Sequence, residues 1–271
     1  MQLGVNVPNF GPGTDPGVLR DWARVTEGLG YDLLMVSDHV VVTPDVAERY
    51  PEPFHEPFTT LSWLAGVTTR VRLGTTVLIL PYRHPLLVAR MAANLDRLSE
   101  GRLVLGVGVG WARQEFDALG VPFAERGRLT DEYLATLRDA WRTDAREGGS
   151  IPVWVGGHSA AALCRAARFG DAWHPLRLSL ARMGEILAGH ALPGFAPRIS
   201  LRLTGTPVDD PQRPAGVGTV EQILDDLERL RLLGASTVVL DPYQGDPEET
   251  LRPHAAWRAL AEVADRWRTA S

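Results

Sequence analysis

A (β/α)8 barrel of the TIM type, in one domain over residues 1–271, is the fold this sequence predicts, and three observations predict it. Apolar runs of strand length alternate with segments of helical period eight times along the chain. Most runs empty into glycine or small polar residues, the composition of the carboxyl end of a barrel strand. The first run is followed by VPNFGPG, which carries a proline and lacks the G-x-G-x-x-G that an open doubly wound sheet would place there.

The stretch 71–116 shows the repeat most plainly. VRLGTTVLIL is strand-like, LLVARMAANLDRLSE spaces Leu87, Met91 and Leu95 at four-residue intervals, and LVLGVGVG follows a Glu-Gly-Arg turn. Two such strands around a helix are parallel neighbours. Gly106, Gly108 and Gly110 line the end of the second, where backbone can approach a ligand closely.

Taken in order, residues 3–7 form the first strand. Residues 15–29 form a helix with Asp15 as cap, Pro16 at its first position and Gly30 past its end, burying Leu19, Trp22, Ala23 and Leu29. The second strand, 31–36, runs into Ser37-Asp38-His39. A Pro-rich, aromatic segment at 40–57 is too long for an ordinary connection and reads as a substrate-side loop. A helix at 58–68 leads to the third strand. After the fourth come a short helical insertion at 112–119 and a long helix at 125–141. Strands at 151–155, 171–174, 199–204 and 237–240 alternate with helices at 160–169, 180–190, 220–233 and 247–268. Cys164 is placed on the buried face of its helix, an inert core thiol.

Composition narrows the chemistry. A chain of 271 residues, 45% hydrophobic, can bury roughly 70 to 75% of its unfolded surface. A net charge of −5, with arginines scattered, argues against nucleic acid or an anionic membrane as partner. One cysteine excludes a disulfide framework and suits a reducing, cytoplasmic setting. No apolar run reaches the length of a membrane span. All 28 basic residues are Arg, so a Schiff-base lysine, a pyridoxal anchor, a Walker lysine and a carboxylated lysine are unavailable.

Candidate site residues follow from the strand ends. His39 beside Asp38 can exchange a proton near neutral pH; the alternative is a capping Asp and a surface His. Thr76-Val77 is plain strand by composition. Gly156-Gly157 before a helix start offers backbone N–H groups to a phosphate, or is simply a tight turn. Gly216, Gly218 and Thr219, at the usual barrel phosphate position, are a second candidate. His158, His174 and Asp241 fall at the ends of strands five, six and eight, a pattern similar to the metal ligands of amidohydrolase barrels. The His-x-His after the first strand is missing there, replaced by Asn6 and Asn9.

The run GTTVLILPYRHPLLVARMAANLDRLSEGRLVLGVGVGWARQEFDALGVPFAERG, preceded by LGYDLLMVSDHV and followed by IPVWVGGHSAAALCRAARFGDAWHP, resembles the luciferase-like monooxygenases, and within them the branch that uses the deazaflavin coenzyme F420. The resemblance implies an oxidoreductase that moves a hydride between F420 and a small organic substrate, in a homodimer; an FMN-dependent monooxygenase of the same superfamily, a metal-dependent hydrolase and a non-catalytic flavin carrier are the alternatives. It implies that His39, with Asp38, acts on a proton beside the ring. It places a bulge, often with a non-prolyl cis peptide, at Thr76-Val77, sets Gly108 near the ring, and assigns the cofactor's phosphate to Gly156 and Gly157 and its anionic tail to Arg177. Two departures stand out: Trp111 replaces the glutamate of the family's glucose-6-phosphate dehydrogenases, and the segment 144–150 is abbreviated.

Overall fold

Short β-branched and leucine-rich runs form the strands, and all of them pair in parallel. In the computed structural model, which describes residues 1–143 and 151–270, they are β1 (Gln2–Asn6), β2 (Leu33–Val36), β3 (Arg72–Thr75), β4 (Leu103–Gly108), β5 (Val153–Gly156), β6 (Ala172–His174), β7 (Arg198–Ser200) and β8 (Thr237–Asp241). Each strand except β6 pairs with its successor in sequence, and β1 pairs with β8 in the register Gln2↔Thr237 to Val5↔Leu240. Between β6 and β7 the contact is made by single bridges, Trp173↔Phe195 and Leu176↔Arg198, and these close the barrel. The expected (β/α)8 architecture is the one observed; the abbreviated linker 144–150 lies outside the described residues.

Most helices start at a proline or behind a capping side chain. They are α1 (Pro16–Gly28), α2 (Pro44–Ala47), α3 (Pro57–Ala65), α4 (Pro85–Leu98), α5 (Arg113–Ala118), α6 (Arg126–Thr143), α7 (Ala160–Phe169), α8 (Leu180–Gly189), α9 (Val220–Leu232), α10 (Glu248–Leu251) and α11 (Pro253–Ala270). The side chains of Asp15, Glu56, Ser159, Ser179 and Thr219 each accept a first-turn backbone N–H. The last expected helix is two, because Arg252 precedes Pro253 and leaves the helical region. Two stripes keep one leucine each where the spacing puts it, Leu95 and Leu163, and differ elsewhere. On α4, Leu87 is exposed and the buried face is Val88, Ala89, Ala92, Ala93 and Leu95. On α7 the buried face is Ala162, Leu163, Arg165 and Ala166, which leaves Cys164 exposed rather than in the core.

Strand alternation sorts the interior into two compartments. Side chains such as Leu34, Val36, Leu73, Leu105 and Val155 face the helices, whereas Leu33, Met35, Val104, Trp154, Ala172, Ala196 and Val239 fill the barrel. Farther along the same strands lie the buried polar residues Asn6, Ser37, Thr76, His174, Arg198 and Asp241. An apolar plug thus carries a polar layer at its carboxyl end, and that layer floors the candidate site.

Candidate active site at the carboxyl ends of the strands

The third strand is interrupted where the polar layer begins. The Thr76–Val77 peptide is cis, and pairing resumes at Leu78–Ile79 against Val107 and Gly108 of β4. The neighbouring glycines make room for this bulge. A Cβ on Gly106 would lie 2.0 Å from the Thr75 carbonyl oxygen, and one on Gly108 would lie 2.5 Å from Val77 Cγ2. Val77 also reaches within 3.0 Å of the position a Cβ would take on Gly156. Gly108 therefore backs the bulge from β4, and its missing side chain is filled by Val77.

A hydrogen-bonded chain runs beneath the bulge. Arg198 Nη1 donates to the Thr76 carbonyl at 2.6 Å, and Thr76 Oγ1 lies 2.9 Å from His174 Nε2. His174 Nδ1 faces the Ala196 carbonyl, so that nitrogen carries the hydrogen and Nε2 accepts from the threonine. Burial, opposed by the Ala196 bond and reinforced by Arg198, pushes the His174 pKa down to about 4, and the ring is neutral. Asp241 takes Arg198 at 2.8 Å, Arg177 at 2.7 Å and Asn6 Nδ2 at 3.0 Å. Burial alone would raise its pKa, but Arg198 and Arg177 hold it below the usual carboxylate range. Asn6 Oδ1 is buried with no partner, an acceptor aimed into the same layer.

These bonds correct the metal reading. His174 and Asp241 have their ligating atoms committed to protein donors, His158 is exposed, and no group of three ligating side chains among the described residues could hold a metal ion.

Asp38 and His39 part ways at the end of β2. Asp38 takes both guanidinium nitrogens of Arg83 at 2.8 Å and the Ile79 N–H at 2.8 Å. It braces the end of β2 to the bulged strand, with Oδ2 taking two of these donors and Oδ1 one. His39 Nδ1 lies 2.6 Å from Glu115 Oε2, with Tyr50, Phe54 and Trp111 around the ring at centroid distances of 5.3, 5.3 and 5.8 Å. The 40–57 segment supplies two of those rings. It crosses the barrel mouth through a bridge between Phe10 and Phe54, and Arg49 lies 4.8 Å over Trp111.

Sequence reading missed Glu115. It is carried by α5, fully buried, and takes four donors: His39 Nδ1, the Tyr82 hydroxyl, and the backbone N–H of Val40 and Val41. Burial would raise its pKa, but these bonds, His39 first, hold it below the ordinary value. The only available signal was its position in the insertion following the β4 glycines.

The anion candidates also divide. Gly157 has φ +97° and is exposed together with His158, Ser159 and Ala160 at the start of α7. Its own carbonyl receives Trp173 Nε1 at 2.7 Å, which fixes the turn. Gly216, by contrast, donates its N–H to Asp226 at 2.8 Å, so the second candidate is internal packing. Arg177 donates through Nη2 to Asp241 and to the Tyr243 carbonyl, and its side chain stays about one third exposed.

Residues 1–189 match the family model of the luciferase-like monooxygenases. The chain belongs to that family. Among its luciferase-like relatives, an uncharacterized protein of Mycobacterium tuberculosis is 34% identical over 180 residues, 56% of this chain and 62% of that protein. A pyrimidine monooxygenase of Methylobacterium radiotolerans is 36% identical over 140 residues, 43% of this chain and 36% of that one. The chain thus spans less than two thirds of the length of these relatives. Solved luciferase-like folds superpose over almost all of it. An F420-dependent secondary alcohol dehydrogenase in complex with an F420-acetone adduct gives a TM-score of 0.71 at 16% identity, covering 96% of this chain and 98% of that one. The oxygenating constituent of 3,6-diketocamphane monooxygenase from Pseudomonas putida, in complex with FMN, gives 0.72 at 16%, covering 97% and 96%. At such identities they establish the fold.

Proposed function

We propose that this luciferase-like chain is an oxidoreductase that moves a hydride between a deazaflavin of the coenzyme F420 type and a small organic substrate. The observation that carries the reading is the joining of His39 to the bulge. Asp38, the residue before His39, grips Ile79 and Arg83, so the imidazole and the Thr76–Val77 bulge share one rigid frame at the strand ends.

The residues present suit such a group. Exposed backbone at Gly157 and the start of α7 suits a phosphate, the apolar Val77 bulge suits the face of a ring, and the orphaned Asn6 Oδ1 calls for a donor. Bound F420 supplies a hydride carrier, because carbon at its ring position 5 restricts it largely to two-electron chemistry. The chain's own residues then do three things. Gly156 and Gly157 hold the phosphate end, Val77 with Gly108 behind it supports the ring, and His39 gives a proton to the substrate oxygen or takes one from it through Nε2. Tyr50, Phe54 and Trp111 pack around the imidazole and hold its plane.

An FMN-dependent monooxygenase is the second reading, favoured by the likeness to the FMN-bound Pseudomonas putida protein. Parallel titrations with F420 and with FMN, followed by fluorescence quenching, decide between them. Micromolar binding of F420 alone supports the first reading, and preference for FMN turns the next assay to oxygen consumption. Binding of neither overturns both.

A further inference from the structure

Glu115 joins three successive strand ends, and its bonding leaves one arrangement of hydrogens. Val40 N–H and Val41 N–H donate to Oε1 at 2.6 and 3.1 Å, and backbone amides can only donate. Oε1 is therefore the acceptor oxygen in every state of the site. Oε2 faces the Tyr82 hydroxyl at 2.9 Å and His39 Nδ1 at 2.6 Å. The side chain is wholly buried, and its four contacts match the roughly four lone-pair sites of a carboxylate.

We propose that Glu115 is the positioning residue of this site: its carboxylate selects the tautomer of His39 in which Nδ1 carries the hydrogen, so that Nε2 alone gains and loses the working proton. An ionised carboxylate has no hydrogen to give, and the imidazole must supply the one between them. Neutral His39 then presents a lone pair at Nε2, and charged His39 presents a hydrogen at the same atom. The base and the acid occupy one position, and proton exchange needs no ring flip. Tyr50, Phe54 and Trp111 pack the ring in that orientation. Glu115 reaches His39 because α5 follows β4 directly, while Tyr82 follows the bulged strand.

Glu115→Gln inverts the arrangement with little change of shape. The new amide must keep its oxygen on Val40 N–H and Val41 N–H, so its NH2 faces His39 Nδ1, which is forced to accept; neutral His39 then carries its hydrogen on Nε2. The proposal rests on His39 as the proton-exchanging group, yet its direct test is independent of turnover. Long-range 1H–15N correlation spectra of the full chain labelled at histidine, with His39 assigned by its absence in His39→Asn, report which ring nitrogen is bare. The native protein is expected to show a bare Nε2, and Glu115→Gln a bare Nδ1, with F420 or FMN affinity within about twofold of native and turnover at least tenfold lower. Tyr82→Phe keeps the carboxylate and is expected to retain the native tautomer. A bare Nδ1 in the native protein, a folded Glu115→Gln with the native tautomer, or a tautomer change in Tyr82→Phe each overturns the assignment. Should Glu115→Gln not fold, the native and Tyr82→Phe spectra decide. Unimpaired turnover in His39→Ala would instead sink the proton-exchange reading and leave the tautomer result standing.

Discussion

Two glycine turns lead from a strand into a helix in this barrel, one from β5 into α7 and one toward α9, and in the sequence they look alike. In the structure they differ in who takes the backbone hydrogens. At the first, Gly157 and the residues that open α7 are exposed, with Ser159 capping the helix through Ala162 N–H. At the second, Gly216 N–H donates to buried Asp226, which also takes Arg213 at 2.6 and 2.8 Å, and Thr219 and Gln222 close a capping box over the helix start. A glycine in such a turn can make room for a ligand or for the protein itself. The first turn is the cradle of the proposed function, and the second is a joint.

The comparison can be broken from the joint's side first. A Cβ on Gly216 would lie 1.8 Å from the Ser200 carbonyl oxygen at a φ of +83°, so Gly216→Ala is expected to lose about 4 kcal/mol or more, read as a fall in the urea midpoint or as loss of soluble protein. Asp226→Ala leaves the Gly216 N–H and a mostly buried Arg213 without their partner, and is expected to lose about 3 kcal/mol with cofactor affinity unchanged. A marked loss of F420 or FMN affinity in a folded Asp226→Ala would return the second turn to the list of binding elements.

The polar floor between the turns gives a pH test of similar size. His174 has a folded pKa of about 4 against its ordinary 6.5. The unfolded chain takes up that proton first as pH falls, so the contribution is complete above 6.5 and is lost through the window down to 4, about 3 kcal/mol in all. His174→Gln should flatten the dependence of urea stability on pH across this window; an unchanged slope would place the titration elsewhere.

Gly157→Ala bears on the cradle. Its φ of +97° is strained for any side chain, at about 1 to 2 kcal/mol, and the added methyl would meet Ala162 at 3.0 Å. Stability should fall less than in Gly216→Ala while cofactor affinity falls about tenfold, the reverse of the pattern at the joint. The smallest change in binding is expected at His39: His39→Ala should keep cofactor affinity within about twofold and slow turnover at least tenfold.

Much of this architecture was legible in the sequence because it rests on local rules. Strand and helix periods, Asp15 before Pro16 and the glycines after β4 each act over a few residues. The site was legible only in part. His39 lies where a strand end puts it and the Thr76-Val77 bulge where the family resemblance puts it, but Asp38 could not be known as a brace until Arg83 was brought beside it across 45 residues. Glu115 hides in a charged stretch, and only closure of the barrel carries it to His39 across 76 residues. Cys164 was misplaced because the buried face of its helix is completed around Leu163 by Ala162, Arg165 and Ala166, and an arginine carries no apolar signal in the sequence.

The segment over the barrel mouth is held at both ends. Glu115 takes the N–H of Val40 and Val41, while at the far end His55 N–H donates to the Asn9 carbonyl and Asn9 Nδ2 donates back to the His55 carbonyl at 2.7 Å. A residue inserted or deleted at either clamp would displace its bonds, and with them either the imidazole's partner or the first strand's exit. Exchanges of side chains such as Tyr50 and Phe54 change what packs against the His39 ring and leave both clamps in place.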